Sequence, residues 1–538
     1  MKEEPSCTWH WLTHAQTQRF SKLFIDYLNG DAGLRLFYVN PLAESSFEFA
    51  MENRSHFPRE QRHLLQEVLQ EQYADVPNTA AVQAQIKALG SEQAFTVTTG
   101  QQLCLFSGPL YVIYKAVQVI ALANRLNQLY PDHTVIPVFW LATEDHDFDE
   151  VNHVDIMGKR FQTTREGEGA VGRSPLPDLQ TILEALEKHL GPGKKQAEIM
   201  QQLREAYGTP GISWTAATRL FLHSLFGTHG LLLLDADDAR LKQQMIPVFS
   251  AELLEGKAAK HLMKRSEELD QQYKVQAFPR EINLFYLTDQ RKRILRVGEE
   301  WTVDGNPSLR WNRNTLLQEL QAHPERFSPN VLLRPLYQEI ILPNLGYIGG
   351  GAELAYWMQL GEMFDAFDQP MPVIVPRQSV QIITAAQNRR RLKAGLRIEE
   401  LFEEDDQLIK DHVHKHSSLD LHLSEYVKRT MQNFDEIYAI ALQTDKSMIG
   451  AVEAQRTKQL KGLENLKKKL LRAEKRQFAV EVNRIETLLD ELFPNGGLQE
   501  RRMNWIEAEL LMGGGFINEL IASVEPLGRR FALLQLLH

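Results

Sequence analysis

The chain has 538 residues, 43% of them hydrophobic and 24% charged, a balance that excludes disorder, collagen and small disulfide scaffolds. At roughly 150 residues per domain it holds about three to four domain equivalents. Its net charge of −10 offers no global basic field to a nucleic-acid backbone, and two cysteines, Cys7 and Cys104, make neither a disulfide framework nor a thiolate metal cage.

That cysteine usage fits a reducing compartment, so the cytoplasm is expected. The first twenty residues start acidic and lack the apolar core of a signal peptide. Residues 1 to about 90 read as helical stretches with polar breaks, ending at Gly90. Next comes "AFTVTTG" (94–100), a β-branched strand pattern, then a loop and a long amphipathic helix over 109–129 that begins at Pro109. This helix is the most apolar in the chain, yet Lys115 and Gln118 interrupt it and it is too short for a bilayer of about 30 Å, so no membrane association is expected. "HTVIPVFWLA" (133–142) is a second buried-strand pattern. Strand, loop, helix and strand over this distance make a βαβ unit, with both strands parallel and both following loops at one sheet edge. Ligands of open α/β sheets bind at that edge.

Further strands are expected at 230–237, 282–289, 293–297 and 372–376, assembling one sheet from discontinuous pieces. Segments near 157–225 and 298–330 read as insertions with no strand of their own. The core then spans 1–378. Residues 379–495 carry many Lys, Glu, Gln and Leu, and read as a helical arm with coiled-coil character. Leu463, Leu466, Leu470 and Ala473 step by three and four, as do Val482, Ile485, Leu489 and Leu492, with a register slip between the sets. Residues 496–538 read as helices returning to the core, broken at Gly513 to Gly515.

Four segments carry candidate chemistry. "GEGAVGRS" (167–174) matches G-x-G-x-x-G, but the prolines of "PLPD" follow where a phosphate-binding helix should start, so a plain loop is expected. "TTGQQLCLFSGPLYVIYK" (98–115) has the better context. Gly100 turns the chain, Gln101 and Gln102 offer amides, Gly108 and Pro109 start a helix whose free N–H groups attract an anion, and Lys115 is a possible charge partner. "ATEDHDFDEVNHVD" (142–155) packs Glu144, Asp145, His146, Asp147, Asp149, Glu150 and His153 behind a strand, a density suited to acid–base work, cation coordination or binding of amines and hydroxyls. The fourth segment, 334–364, places Gly349, Gly350 and Gly351 ahead of a helix bearing Glu353 and Tyr356. The basic stretch 467–477 reads as a solvated helix face.

Taken together and in order, "TGQQ…GPLY…K", "PVFWLATEDHDFDEVNHV", "INLFY…RKRI", "LLRPLYQEIILPNLGYIGG…E…AYW" and "MPVIVPR" resemble the bacillithiol synthase family, the cysteine-adding enzymes of bacillithiol biosynthesis. The likeness runs through most of the chain. It implies an α/β fold with a Rossmann-like parallel-sheet core, inserted segments, a long α-helical coiled-coil domain and a homodimer formed through those helices. The implied reaction joins the cysteine carboxyl to the glucosamine amine of glucosaminyl-malate. On the family's pattern the chain contributes Gly100, Gln101, Gln102, Gly108, Pro109 and Lys115; Glu144, Asp145, His146 and Asp147; and Arg334, Gln338, Tyr347, Gly349 and Glu353. Where the first loop often carries glycine, Cys104 stands here. The H-I-G-H string of cysteine ligases that resemble aminoacyl-tRNA synthetases does not occur.

Amide formation from a free carboxylate needs activation, normally by ATP. The reading is therefore a nucleotide-dependent ligase. In it the first loop and Lys115 bind an anionic group, His146, steered by Asp145 or Asp147, takes the amine proton, Glu144 and Asp147 bind amine or hydroxyl groups, and Arg334 and Glu353 form the opposite wall. No metal site is assigned to this enzyme. Two rivals are a metal-dependent hydrolase or transferase built on His146, Asp147, Asp149 and His153, and a non-catalytic coiled-coil scaffold.

Overall fold

The computed structural model describes residues 7–164, 169–417, 423–445 and 447–537; Gly167 of the glycine-rich loop lies outside them. The chain divides into two compact units. One holds the N-terminal residues up to Ala15 with Arg19–Ile382 and everything from Leu498; the other holds Gln16–Gln18 and Ile383–Gly497.

The first unit is built on a five-stranded parallel sheet. We label its strands β1 (Ala94–Gln101), β2 (Thr134–Leu141), β3 (Leu232–Asp235), β4 (Asn344–Gly349) and β5 (Val373–Pro376). Their order across the sheet is β5-β4-β1-β2-β3, with Thr98 of β1 opposite Val138 on one side and Tyr347 on the other. Helix α1 (Leu110–Leu129) makes the crossover from β1 to β2 and is buried along most of its length. Nearly every strand residue is buried as well, which is why the strands read as continuous apolar runs. From β1 the chain builds outward through β2 and β3, then returns to the other side of β1 as β4 and β5. The order reverses between β1 and β4, and a crevice opens at such a point.

The pieces at 282–289 and 293–297 do not join this sheet. They form a separate antiparallel sheet in the order Asn306–Trp311, Glu300–Val303, Arg291–Val297, Leu284–Leu287, Phe327–Pro329. Segment 298–330, expected to lack strands, thus supplies three of its five. Gly298 (φ +65°) and Gly305 (φ +74°) sit in the tight turns joining these strands, so glycines that read as loop markers are hairpin turns. Segment 157–225 likewise contains a strand, Lys159–Gln162, paired with His153–Ile156 across Met157-Gly158, before its three helices. A third sheet pairs Cys7–Thr13 with Arg530–Leu536 antiparallel. The expected all-helical ends of this unit therefore each carry a strand, and the two lie side by side. The glycines 513–515, all at positive φ, separate helices Trp505–Leu511 and Phe516–Ser523.

The second unit is helical. Its longest helices, Ser424–Thr444 and Met448–Gln477, pack along each other, and Ala479–Leu492 follows after a break at Phe478. That break falls between the two heptad-like sets and accounts for their register slip. Val482, Ile485, Leu489 and Leu492 are buried, whereas Leu466 is 47% exposed. Among the described residues no helix is long and apolar enough to cross a membrane.

Candidate functional site

The carboxyl ends of all five parallel strands open on one cavity of about 430 Å³. Gly100 to Gln102 come from β1, Trp140 to Asp145 from β2 and the loop behind it, Ala236 and Asp237 from β3, Gly350 to Glu353 from β4, and Arg377 from β5. Close strand packing sets its floor. A Cβ on Gly100 would stand 3.1 Å from the Trp140 Cβ and 3.2 Å from the Trp140 carbonyl oxygen, so any larger residue here would have to push β2 back by a few tenths of an ångström.

Lys115, on the second turn of α1, points back under the end of β1. Its Nζ donates to the Gly100 carbonyl (2.8 Å) and Gln101 Oε1 (2.9 Å), and it pairs with Glu353 Oε2 at 2.5 Å. Glu353, in helix α2 (Gly351–Trp357), also accepts from the Tyr347 hydroxyl (2.6 Å) and the Gly350 N–H (2.9 Å). Burial opposes its charge, but Lys115, Tyr347 and Gly350 outweigh it and hold the carboxyl below the usual glutamate range. The Arg334 guanidinium lies 5.4 Å from both the Trp140 and Tyr347 ring centres. Its Nη1 donates to Gln338 Oε1 (3.0 Å), and its buried Nη2 has no hydrogen-bond partner among the described residues. Arg377 is fixed by Glu500 through two bonds of 2.5 and 3.0 Å.

The acidic loop forms the facing wall. Gln102 Nε2 donates to Asp145 Oδ2 (2.8 Å) and bonds Glu150. Asp145 Oδ1 accepts the His146 N–H (2.8 Å) and lies 3.6 Å from His146 Nδ1. Burial works against the Asp145 anion, yet His146, Gln102, Arg291 and the Asp147 N–H hold it well below the carboxylate range. Glu144 pairs with Lys242, a fully buried lysine that also donates to the Phe327 carbonyl (2.8 Å). Arg291, from the antiparallel sheet, donates to Ser328 Oγ (3.0 Å) and the Pro329 carbonyl (2.8 Å), and its Nη1 lies 3.3 Å from His146 Nδ1. His146 Nδ1 thus stands between a donor, Arg291, and an acceptor, Asp145, and it accepts from the guanidinium only when the ring proton is on Nε2.

Of the residues singled out from sequence, Gly100, Gln101, Gln102, Lys115, Glu144, Asp145, Arg334, Tyr347 and Glu353 line the cavity. His146 and Asp147 are exposed just outside it, and the carboxylate beside His146 is Asp145. Gln338 and Gly349 are buried behind it, where Gln338 holds Arg334 and Gly349 packs against Tyr347 and Glu353. Gly108 is elsewhere. The N-terminus of α1 is covered by the C-terminal segment: Leu110 N donates to the Met503 carbonyl (2.8 Å), and Asn504 Nδ2 donates to the Phe106 and Gly108 carbonyls (3.0 and 2.6 Å). An anion has no access to that helix end by this route, and the charge partner it was expected to help, Lys115, faces the cavity from one turn deeper. Cys104 is buried against Gly108 and is not among the residues lining the cavity, and burial pushes its thiol up to about 12, away from the thiolate form.

Among the described residues no three His, Cys, Asp or Glu side chains converge as ligands. One helical turn (Phe148–Val151) and then a strand (His153–Ile156) spread His146, Asp147, Asp149 and His153 over different elements. Sequence reasoning missed Asp237, Arg377 and Arg291. The first two follow β3 and β5 directly, so the strand-end rule that found the acidic loop would have found them. Arg291 arrives from another sheet and leaves no such signal.

Comparison with known proteins adds two findings. The family model for bacillithiol biosynthesis BshC matches residues 11–378 with its N-terminal Rossmann-like domain and 380–536 with its C-terminal coiled-coil domain. Proteins bearing the provisional name cysteine ligase BshC are similar over nearly their whole length. That from Christiangramia forsetii is 39% identical over 530 residues, 97% of this chain and 98% of the relative. That from Flavobacterium johnsoniae is 40% identical over 517 residues, 96% and 97% respectively.

Proposed function

The chain belongs to the bacillithiol biosynthesis BshC family, and from that premise we propose that it is a cytoplasmic ligase joining the carboxyl of cysteine to the glucosamine amine of glucosaminyl-malate. The observation that carries this reading is the cavity at the five strand ends, where carboxylates and arginines face each other. A substrate bearing both an amine and malate carboxylates needs both kinds of wall. Asp145 and Glu144 face the amine; Arg334, with its unpaired Nη2, and the Lys115–Glu353 pair face the anionic part. ATP supplies the carboxyl with a leaving group when bound, and the cations Arg377 and Arg501 at the cavity's edge suit its phosphates.

The attacking amine must lose a proton as the amide forms. His146 takes it at Nδ1 after parting from Arg291, and Asp145, 3.6 Å away, stabilises the resulting imidazolium. Gln338 and Gly349 hold the binding wall in place without touching substrate.

The protein acts as a homodimer through its helical unit. Tyr426, Ile437 and Ile440 on one side of helix Ser424–Thr444 are each 45–62% exposed, an apolar face that a second copy covers. Light scattering on the eluting protein should give twice the 61.8 kDa chain mass, and Ile437→Glu with Ile440→Glu should return it to one. A monomeric wild type at micromolar concentration would end this part of the reading.

Mass spectrometry of derivatised thiols in the source organism tests the function. Deleting the gene should abolish bacillithiol and accumulate glucosaminyl-malate, with recovery on complementation. An unchanged thiol pool in a bacillithiol-producing host would refute the proposal.

A further inference from the structure

A cavity of about 430 Å³ suits one ligand of ordinary size, whereas the proposed reaction brings together cysteine, an amino sugar and a nucleotide. A second cavity lies beside the first and shares Thr143 and Asp237 with it. Its other walls include Ser213, Thr215 and Ala216 at the start of helix Trp214–Phe226, Arg219 in that helix, and Asp235 at the end of β3.

Most charged groups there are already satisfied. Arg173 holds Asp237 through bonds of 2.5 and 2.7 Å, and Glu325 lies 3.3 Å from His323. Arg219 and Asp235 differ. Arg219 is 7% exposed, and its Nη2 donates to Gln72 Oε1 (3.0 Å), but its buried Nε has no partner and it forms no ion pair among the described residues. Asp235 accepts the Asp237 N–H (3.0 Å) and likewise forms no ion pair. Gln72 Oε1 also accepts the Asp235 N–H (3.0 Å), so one amide fixes both the helix and the strand end. This cation and anion stand around one cavity within reach of each other's charge but without a direct ion pair, which leaves both only partly compensated. A ligand carrying both opposite charges completes that compensation. The first-turn N–H groups of the 13-residue helix are already taken, Trp214 N by the Ser174 carbonyl (3.0 Å), Thr215 N by the Gly172 carbonyl (3.4 Å), Ala216 N by Ser213 Oγ (3.1 Å) and Ala217 N by the Ser213 carbonyl (3.0 Å), so the helix adds only its dipole to the negative end.

We infer that this second cavity binds a small α-amino acid as its zwitterion, with the carboxylate on Arg219 and the ammonium on Asp235. The choice of cysteine as occupant rests on the proposed reaction, and the shared wall of Thr143 and Asp237 then sets it beside the cavity for the amino sugar. Burial and the neighbouring Asp237 push the Asp235 carboxyl up to about 6, a shift that an ammonium ligand reverses.

Calorimetric titration of the full chain, with and without ATP, tests this using L-cysteine, L-serine, cysteamine and 3-mercaptopropionate. L-Cysteine should bind, and the two analogues that each lack one charge should bind about tenfold or more weakly. Arg219→Gln and Asp235→Asn should each weaken cysteine by a similar factor. Because a buried arginine can matter for folding, Ala216→Leu serves as the second probe; it fills the half-exposed space, leaves both charges intact, and should abolish binding with an unchanged circular dichroism spectrum. Cysteine binding that survives all three substitutions but is lost in Arg334→Met would overturn the inference and leave the proposed reaction standing. Serine binding that depends on Arg219 and Asp235, without cysteine binding, would keep the site and remove the reaction. No amino acid bound by the folded wild type under either condition would overturn the site.

Discussion

Replacing His146 by Ala is expected to lower kcat by about 10²–10⁴ while leaving the folded state nearly unchanged. The imidazole is 41% exposed on its side chain and sits outside the cavity lining, so its loss creates no core void and should change stability by no more than about 0.5 kcal/mol. The effect should fall on kcat rather than KM, because the group acts on a proton and makes no ground-state contact with the anionic part of the substrate. His146→Gln is the informative companion. Its side-chain oxygen can still accept from Arg291, yet it cannot take a proton, so its rate should match that of the alanine variant. A rate within about threefold of wild type would move the base to one of the carboxylates lining the cavity, Glu144 or Glu353 first among them.

Lys115→Met is expected to be costly for both stability and activity. The lysine is 2% exposed and its ammonium satisfies three acceptors, the Gly100 carbonyl, Gln101 Oε1 and Glu353 Oε2. Removing it strands a carboxylate that is largely withdrawn from water, a change that costs about 3 kcal/mol, the lower end of the range for broken buried pairs because Glu353 keeps some solvent access. Thermal unfolding should therefore shift clearly downward. Lys115→Met combined with Glu353→Gln should be more stable than the sum of the single effects, with a coupling of about 1–3 kcal/mol. The pair also has a pH signature. The Glu353 carboxyl is held below its ordinary 4.5 in the folded chain, so its contribution is present above that pH and is lost as the pH falls through the folded value. Wild type should thus lose stability on the acid side more steeply than Glu353→Gln. Identical acid limbs would mean that the pair is not coupled to folding.

Much of this architecture was legible in the chain itself. β1, α1 and β2 announce themselves because a parallel sheet buried on both faces needs unbroken apolar runs, and "AFTVTTG" and "PVFWLA" have few other uses. The same burial puts Gly100 and the acidic loop at one edge of the sheet from the sequence alone. Short antiparallel strands carry a weaker signature. Glu300–Val303 and Asn306–Trp311 are polar on one face, and the glycines that turn between them read equally well as loop. The pairing of Cys7–Thr13 with Arg530–Leu536 joins segments more than 500 residues apart, and no local pattern encodes it. At the site, the acids and Lys115 followed from strand ends, but the covering of Gly108 by Asn504 did not. A helix N-terminus looks open in sequence until a distant segment caps it.

The central claim is that this chain joins cysteine to an amino sugar in the cavity at the strand ends. Its most direct test is to incubate the purified protein with L-cysteine, glucosaminyl-malate and ATP and to follow product mass and nucleotide by liquid chromatography and mass spectrometry. A product with the mass of the two substrates less one water, formed with stoichiometric release of AMP or ADP, is expected in wild type but not in the His146 variant. Product formed equally well by that variant would contradict the assignment of the base, and absence of product from folded wild type supplied with all three reactants would contradict the account itself.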